Sequence, residues 1–300
     1  MEAWIPITLL AALAQTARFG LQKQLKATRL STAGATFARF VYSAPLVALL
    51  MLGYGQISGQ ALPAIPLRFW AYALAGGAAQ ILATMCVVAL FAHRNFAVGI
   101  TFKKTEVIMS VIVGMIVLRE GVSWAGFGAI LLGLVGVLLL SDPPAATGAW
   151  HRRIFNRAAG LGILSGLLFA VSAVGYRGAA LSLSHGDALL RALTTLAFVT
   201  AFQTLAMAAW MAWRERGEIG RVFAAWRVGA LVGVSSMVGS ICWFTAFALQ
   251  TVAYVKALGQ VELVFSFLVS ALIFKEKTTM REYQGVAVLC LAVIALIVAI

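Results

Sequence analysis

Uninterrupted apolar runs alternate with short polar breaks along this whole chain, and run length decides the fold class. An apolar run of about 18 residues or more is long enough to cross a bilayer as a helix. Such runs predict helical spans near 4–21, 34–54, 69–92, 97–118, 122–141, 158–181, 189–213, 228–248, 254–274 and 283–300. At this length only helices satisfy the backbone in lipid, so the expected class is an all-α membrane protein of ten transmembrane helices. The longest break, SDPPAATGAWHRRIFNR, falls near the midpoint, and Pro143 and Pro144 prevent a helix from running through it. It divides the chain into a first unit, 1–144, a linker, 145–156, and a second unit, 157–300. The first run follows MEA, without Lys or Arg, and is too long for a cleaved leader, so it is expected to stay as a membrane helix. No soluble domain is expected at either end.

The two units match each other without a gap. With Trp70 set on Trp226, the same offset places Gly77 on Gly233, Cys86 on Cys242 and Ala97 on Ala253. It continues through Glu106 on Glu262, Ser110 on Ser266, Val113 on Val269, and Arg119-Glu120 on Lys275-Glu276. Trp, Cys and Glu are scarce here, so their coincidence outweighs shared oiliness. Each unit holds five spans, an odd number, so the second enters the membrane with opposite orientation. Two inverted five-helix repeats are the architecture of many secondary transporters, with the substrate site near the midplane between them.

Composition fits that picture. Charged residues make up 11% of the chain and apolar ones 62%, against about 25% charged in a soluble domain. The formal charge of +13 does not signal nucleic acid, because the basic residues gather in the breaks, as topology selection requires. The expected partners are membrane lipid and a small-molecule substrate, with the chain a monomer or homodimer in a bacterial-type cytoplasmic membrane. The breaks after odd-numbered spans carry most of the Lys and Arg, among them Lys23, Lys26, Arg152, Arg153, Arg214 and Lys277. The opposite breaks hold only Arg68, Arg119 and Arg191. Basic residues in short loops stay cytoplasmic, which places both termini on the far side.

Enzyme chemistry finds no footing. HExxH and GxSxG are absent, and His93, His151 and His185 all lie in breaks. Cys86, Cys242 and Cys290 stand singly inside runs, so neither a disulfide framework nor a metal site is expected, and no cofactor is implied. No Walker A sequence is present, so ATP is not the direct energy source.

The candidate site lies in FKKTEV, 102–107, and its repeat mate GQVEL, 259–263. Glu106 sits about nine residues into its run, roughly 13 Å deep at 1.5 Å per residue. Glu262 sits at the matching depth. A carboxylate so placed is too short to reach water and faces a cavity or a partner. Lys103, three residues before Glu106, shares its helical face and is placed to pair with it. Lys104 points elsewhere, and either lysine has the reach to snorkel or to line a cavity. Gln260 is the repeat mate of Lys104. Gln15, Gln80, Thr84, Ser240 and Trp243 stand at midplane depth as further substrate or proton contacts, with Ser236 beside them. Ser110 and Ser266 extend the stripe from each glutamate, the usual role of such residues being helix packing. Lys256, Arg18, Arg39, Arg177 and Arg191 read as near span ends, where snorkelling or gate salt bridges are the default.

The chain resembles the EamA-type branch of the drug/metabolite transporter superfamily. The resemblance rests on five-plus-five organisation and on the fourth and ninth spans closing in VLRE, 117–120, and IFKE, 273–276. It covers the whole chain and implies a ten-helix alternating-access carrier. Members move amino acids, drugs, nucleotide sugars or phosphorylated sugars. In that family a proline commonly precedes the closing Glu by fourteen residues. Glu106 and Glu262 occupy those positions here, so the kink a proline supplies is expected to be missing.

The leading expectation is a proton-coupled secondary carrier of a small polar or zwitterionic, amino-acid-like metabolite, with the Lys/Glu centre matching a zwitterion and export favoured by the resemblance. The alternatives are a proton-coupled exporter of cationic or aromatic drug-like compounds and, from another class, a non-transporting membrane scaffold.

Overall fold

The computed structural model describes residues 2–27, 30–90, 102–140, 157–268 and 279–300, without the side chains of 17, 19, 20, 22–27, 158 and 266. The central linker, the IFKE motif, His93, His151 and the side chain of Ser266 therefore lie outside the described residues. Among the described residues the chain is entirely helical.

Six helical segments are long and apolar enough to cross a membrane: Thr32–Ser58, Leu67–Leu90, Ala159–Ser182, Ala188–Arg214, Trp226–Leu249 and Met280–Val298. Shorter apolar helices occupy Trp4–Thr16, Glu106–Leu118 and Trp124–Leu140. The protein is a multi-pass membrane protein. In chain order the elements are α1 (Trp4–Ala27), α2 (Thr32–Val41), α3 (Ala44–Ser58), α4 (Leu67–Leu90), α5 (Glu106–Leu118), α6 (Trp124–Leu140) and α7 (Arg157–Ser182). They continue as α8 (Ala188–Arg214), α9 (Glu218–Ala224), α10 (Trp226–Leu249), α11 (Val252–Leu258), α12 (Glu262–Leu268) and α13 (Met280–Val298).

Lipid as solvent explains which residues face outward. Leu67, Ile116, Leu205 and Val298 stand largely exposed, a pattern that would be costly in water and costs nothing against acyl chains. Helix contacts use small residues instead, because close backbone approach replaces the hydrophobic drive that lipid cannot supply. A Cβ added to Gly175 on α7 would come 2.9 Å from the Gly76 Cα and the Tyr72 carbonyl of α4. Gly136 on α6 meets the Gly285 carbonyl and Leu289 backbone of α13 in the same way. These two pairs and α1 against α10 are the most extensive helix contacts, and each joins the N-terminal to the C-terminal half.

Three departures from the sequence reading matter for the site. The run at 34–54 is broken at Tyr42–Ser43 into α2 and α3, with a proline in the first turn of α3. Pro45 has no N–H to give the ladder; the Ser43 N–H turns to the Phe40 carbonyl at 3.1 Å, and Ser43 Oγ donates to the Arg39 carbonyl at 2.8 Å in its place. The break between α8 and α10 contains an additional helix, α9, whose Glu218 is completely buried. The third departure is that the runs holding Glu106 and Glu262 are each interrupted at the glutamate. Lys104 and Thr105 form a turn before α5 begins at Glu106, and a single 3-10 turn, Gly259–Val261, separates α11 from α12. The helices are thus interrupted at both glutamates without a proline.

Candidate functional site

Each broken segment presents a glutamate as the first residue of a new helix. At Glu262 the chain stays helical through the break, its N–H bonding back to the Gln260 and Gly259 carbonyls. Thr105 donates twice to the Phe102 carbonyl, from its N–H at 3.2 Å and from Oγ1 at 2.7 Å, which closes the turn. The turn lies close against Gly166 of α7, where a Cβ would sit 3.0 Å from the Lys103 carbonyl. The second break carries Gly259 under the indole of Trp243, leaving no room for a side chain.

The charges brought together here pair across the halves. Lys104 forms a buried ion pair with Glu262, and Gln15 Nε2 donates to the other oxygen of that carboxylate at 2.7 Å. Lys256 pairs with Glu106, which also has Lys103 Nζ at 3.3 Å. None of Lys103, Lys104, Glu106 and Glu262 is more than 8% exposed. Neither lysine snorkels, then, and Lys103 pairs with Glu106 as its spacing indicates. Lys256 corrects the sequence reading. Its ammonium lies 4.9 Å from the Trp243 ring centroid and 5.6 Å from that of Phe247. It is held inside by the Glu106 carboxylate and these two rings.

A small cavity of about 30 Å³ opens beside this cluster. Gln15, Gln80, Ser240, Trp243 and Lys256 line it, together with Arg18 and Arg39. Phe169, Tyr176, Phe244 and Phe247 supply its aromatic walls, with Tyr176 stacked on Phe244 at 4.2 Å between centroids. Tyr176 Oη donates to Gln80 Oε1 at 2.9 Å, and Gln203 Nε2 donates to the same oxygen at 3.0 Å. The network fixes the Gln80 amide at the cavity wall.

Sequence position misplaced the two arginines. Arg18 and Arg39 are 5% and 6% exposed, not extended to an interface. The reason is helix length: α1 continues to Ala27, beyond the expected end at 21, and Arg39 lies inside the segment Thr32–Ser58. Thr84 lies behind the wall, accepting from Arg39 Nη1 at 3.1 Å through its hydroxyl. Ser110 Oγ donates to the Glu106 carbonyl at 2.8 Å, which assigns it to helix packing. Lys104 and Gln260 border a second, otherwise apolar cavity of about 20 Å³ against α6 and α13. Ser236 borders a smaller space of about 10 Å³ together with Arg39, Gln80 and Ser240.

At the end of the bundle where α5, α7 and α10 meet, Arg177 Nε donates to both carboxylate oxygens of Glu120 at 2.7 Å. Its Nη1 donates to the carbonyls of Phe247 and Gln250 at 2.6 and 2.7 Å. Of the two arrangements the sequence position allowed, snorkelling and a salt bridge, the structure has the salt bridge. Among the described residues no group of His, Cys, Asp and Glu is arranged to hold a metal ion.

No family model matches the chain, and no curated protein matches it. Its backbone is similar to that of a protein of known crystal structure, with a TM-score of 0.72 and 15% identity over 98% of this chain and 95% of that one. At that identity the likeness shows the fold alone.

Proposed function

We propose that the protein is a secondary carrier that moves a small polar organic metabolite across the membrane by alternating access. In this reading the chain has ten spans in two inverted repeats, an architecture that resembles EamA-type carriers. The observation that carries the proposal is the crossed pairing of Lys104 with Glu262 and Lys256 with Glu106, at two helix breaks beside a cavity. Discontinuous helices meeting between repeats are how carriers build central sites. The packing agrees with a twofold exchange of halves: α4 against α7 has its counterpart in α1 against α10, and α6 against α13 is its own counterpart.

The chemistry follows from the pairs. Each ion pair joins the halves, so both must be broken or exchanged for one half to rock against the other. Protonating Glu106 would release Lys256 toward the cavity and weaken the link between α5 and α11. Glu262, held by Lys104 and Gln15, plays the same part for α12 against α1 and α5. Protons thus set the strength of the inter-half ties, which is the basis for proton coupling. The Arg177–Glu120 bridge closes one end of the path.

The test is uptake into and release from proteoliposomes over a metabolite panel, with and without a pH difference. Flux that responds to the pH gradient and is lost in Glu106→Gln supports the reading. Absence of flux for the whole panel, from protein folded by circular dichroism, would favour a scaffold instead.

A further inference from the structure

Glu218 is 0% exposed, more deeply buried than Glu106 or Glu262, although it stands in the break between α8 and α10. Its Oε1 accepts the Ser31 N–H at 2.5 Å, and Arg221 pairs with its other oxygen. Glu215 accepts from Ser31 Oγ at 2.5 Å. Ser31 is the N-cap of α2. Two carboxylates from the C-terminal half therefore clasp the start of a helix from the N-terminal half, where the helix dipole favours negative charge. Gly34, in that first turn, has no room for a side chain, because a Cβ would run into the Glu218 carboxylate.

The other end of α2 is a joint. The helix has ten residues and breaks from α3 at Tyr42–Ser43. Tyr42 Oη donates to the Val222 carbonyl of α9 at 3.1 Å, its ring meets Phe223 edge-on, and Gly229 and Gly233 of α10 leave room for it. Between clasp and joint, Arg39 of α2 stands on the cavity wall.

A matching clasp lies at the far end of α8. In the register that sets Trp70 on Trp226, Ser31 falls on Asp187. Each is an N-cap whose side chain accepts from the N–H three residues on. Asp187 is held from the other half by Tyr54 Oη at 2.7 Å and Gln60 Nε2 at 3.0 Å. The 27 residues of α8 separate it from Glu215, about 40 Å at 1.5 Å per residue. The Arg177–Glu120 bridge holds the C-terminal end of α10, whereas α9 leads into its N-terminal end. The Ser31 clasp and that bridge thus sit at opposite ends of the bundle.

We propose that α2 is a hinged gate, latched shut by Glu215 and Glu218 on Ser31, which closes the cavity at the end opposite the Arg177–Glu120 bridge. The assignment rests on the carrier reading and deepens it by naming the second gate. Alternating access needs one end to open while the other stays shut. Releasing the latch lets α2 swing about Tyr42 and carry Arg39 off the cavity wall, while Arg177 still holds the far end.

The test labels Ser240→Cys, in a background lacking Cys86, Cys242 and Cys290, with a membrane-impermeant maleimide in right-side-out and inside-out membrane vesicles. Glu218→Gln should speed labelling about tenfold or more from one face only, from the loss of a charged acceptor. Arg177→Gln should speed it from the other face. Gly34→Ala keeps every charge and favours the helix but evicts the Glu218 carboxylate, so it should act as Glu218→Gln does. Gly220→Ala, on α9 with open space around it, should change nothing. Acceleration by Glu218→Gln from both faces equally, or from the face that Arg177→Gln opens, overturns the assignment. So does unchanged labelling in folded Glu218→Gln and Gly34→Ala. Where those two do not fold, Glu215→Gln, at a half-buried position, decides by the same readout. Labelling and flux are read separately: a one-faced response without flux in proteoliposomes defeats the carrier reading only, and flux with unmoved labelling defeats the gate only.

Discussion

Lys104 donates to Glu262 across 158 residues of sequence, and both side chains are buried. Removing one member of such a pair leaves the other charge uncompensated, which costs about 3–5 kcal/mol in a protein interior. Glu262→Gln is therefore expected to lower stability as well as transport. Lys104→Met combined with Glu262→Leu should recover most of that stability while transport stays lost. Thermal unfolding of the two singles and the double, beside proteoliposome flux, checks this. A double variant no more stable than either single would show that the pair is not the source of the effect.

Arg177 ties α7 to Glu120 and to the end of α10. A hydrogen bond to a charged group contributes about 1.5–3 kcal/mol, so Arg177→Gln should shift the bundle toward opening at that end by about tenfold or more. In a background lacking Cys86, Cys242 and Cys290, a cysteine introduced by Ser240→Cys should then react faster with a membrane-impermeant maleimide. An unchanged labelling rate would remove Arg177 as a gate.

Gly175 and Gly76 bring α7 and α4 into backbone contact. Gly175→Ala puts a methyl group where a backbone carbon lies 2.9 Å away. Overpacking of this kind costs about 1–3 kcal/mol, and the loss should appear as a lower thermal midpoint. Gly160→Ala, on the same helix with open space around it, should have no such effect.

Asp187 caps α8, accepting from the Leu190 N–H at 2.8 Å. Partial burial pushes its carboxyl up, but hydrogen bonds from Gln60, Leu190 and Tyr54 outweigh that and hold it below the ordinary aspartate value. A carboxyl depressed in the folded state contributes stability that is full above its unfolded pKa. That contribution is lost as pH falls through the folded pKa. Wild type should lose this increment below the ordinary aspartate range, and Asp187→Asn should lack that component of the pH profile of thermal stability.

From the basic residues of alternate breaks, both termini are expected to face away from the cytoplasm. A reporter active only in the cytoplasm should be dark when fused at Ile300 and bright when inserted at Trp150. A bright fusion at Ile300 would reverse the orientation.

That the chain is helical and crosses the membrane several times was legible from run length alone, because a bilayer-length apolar helix needs no tertiary partner to satisfy its backbone. Glu106, Glu262 and Lys103 were legible for a related reason: charge at that depth is costly enough to demand a partner wherever the chain goes. What the partner would be was not written locally. The match of Lys104 to Glu262 and of Lys256 to Glu106 exists only once α5, α11 and α12 meet. The helix breaks at both glutamates occur without proline, where Gly166 and Trp243 pack against them. Arg18 and Arg39 show the same division. Distance from a predicted span end suggested the interface, but the helices run on past those ends, and packing against α10 and α4 turned both guanidiniums inward. Hydropathy measures the cost of burial along one helix, whereas the direction a long side chain takes is set by the neighbours that bury it, and only the tertiary structure supplies those.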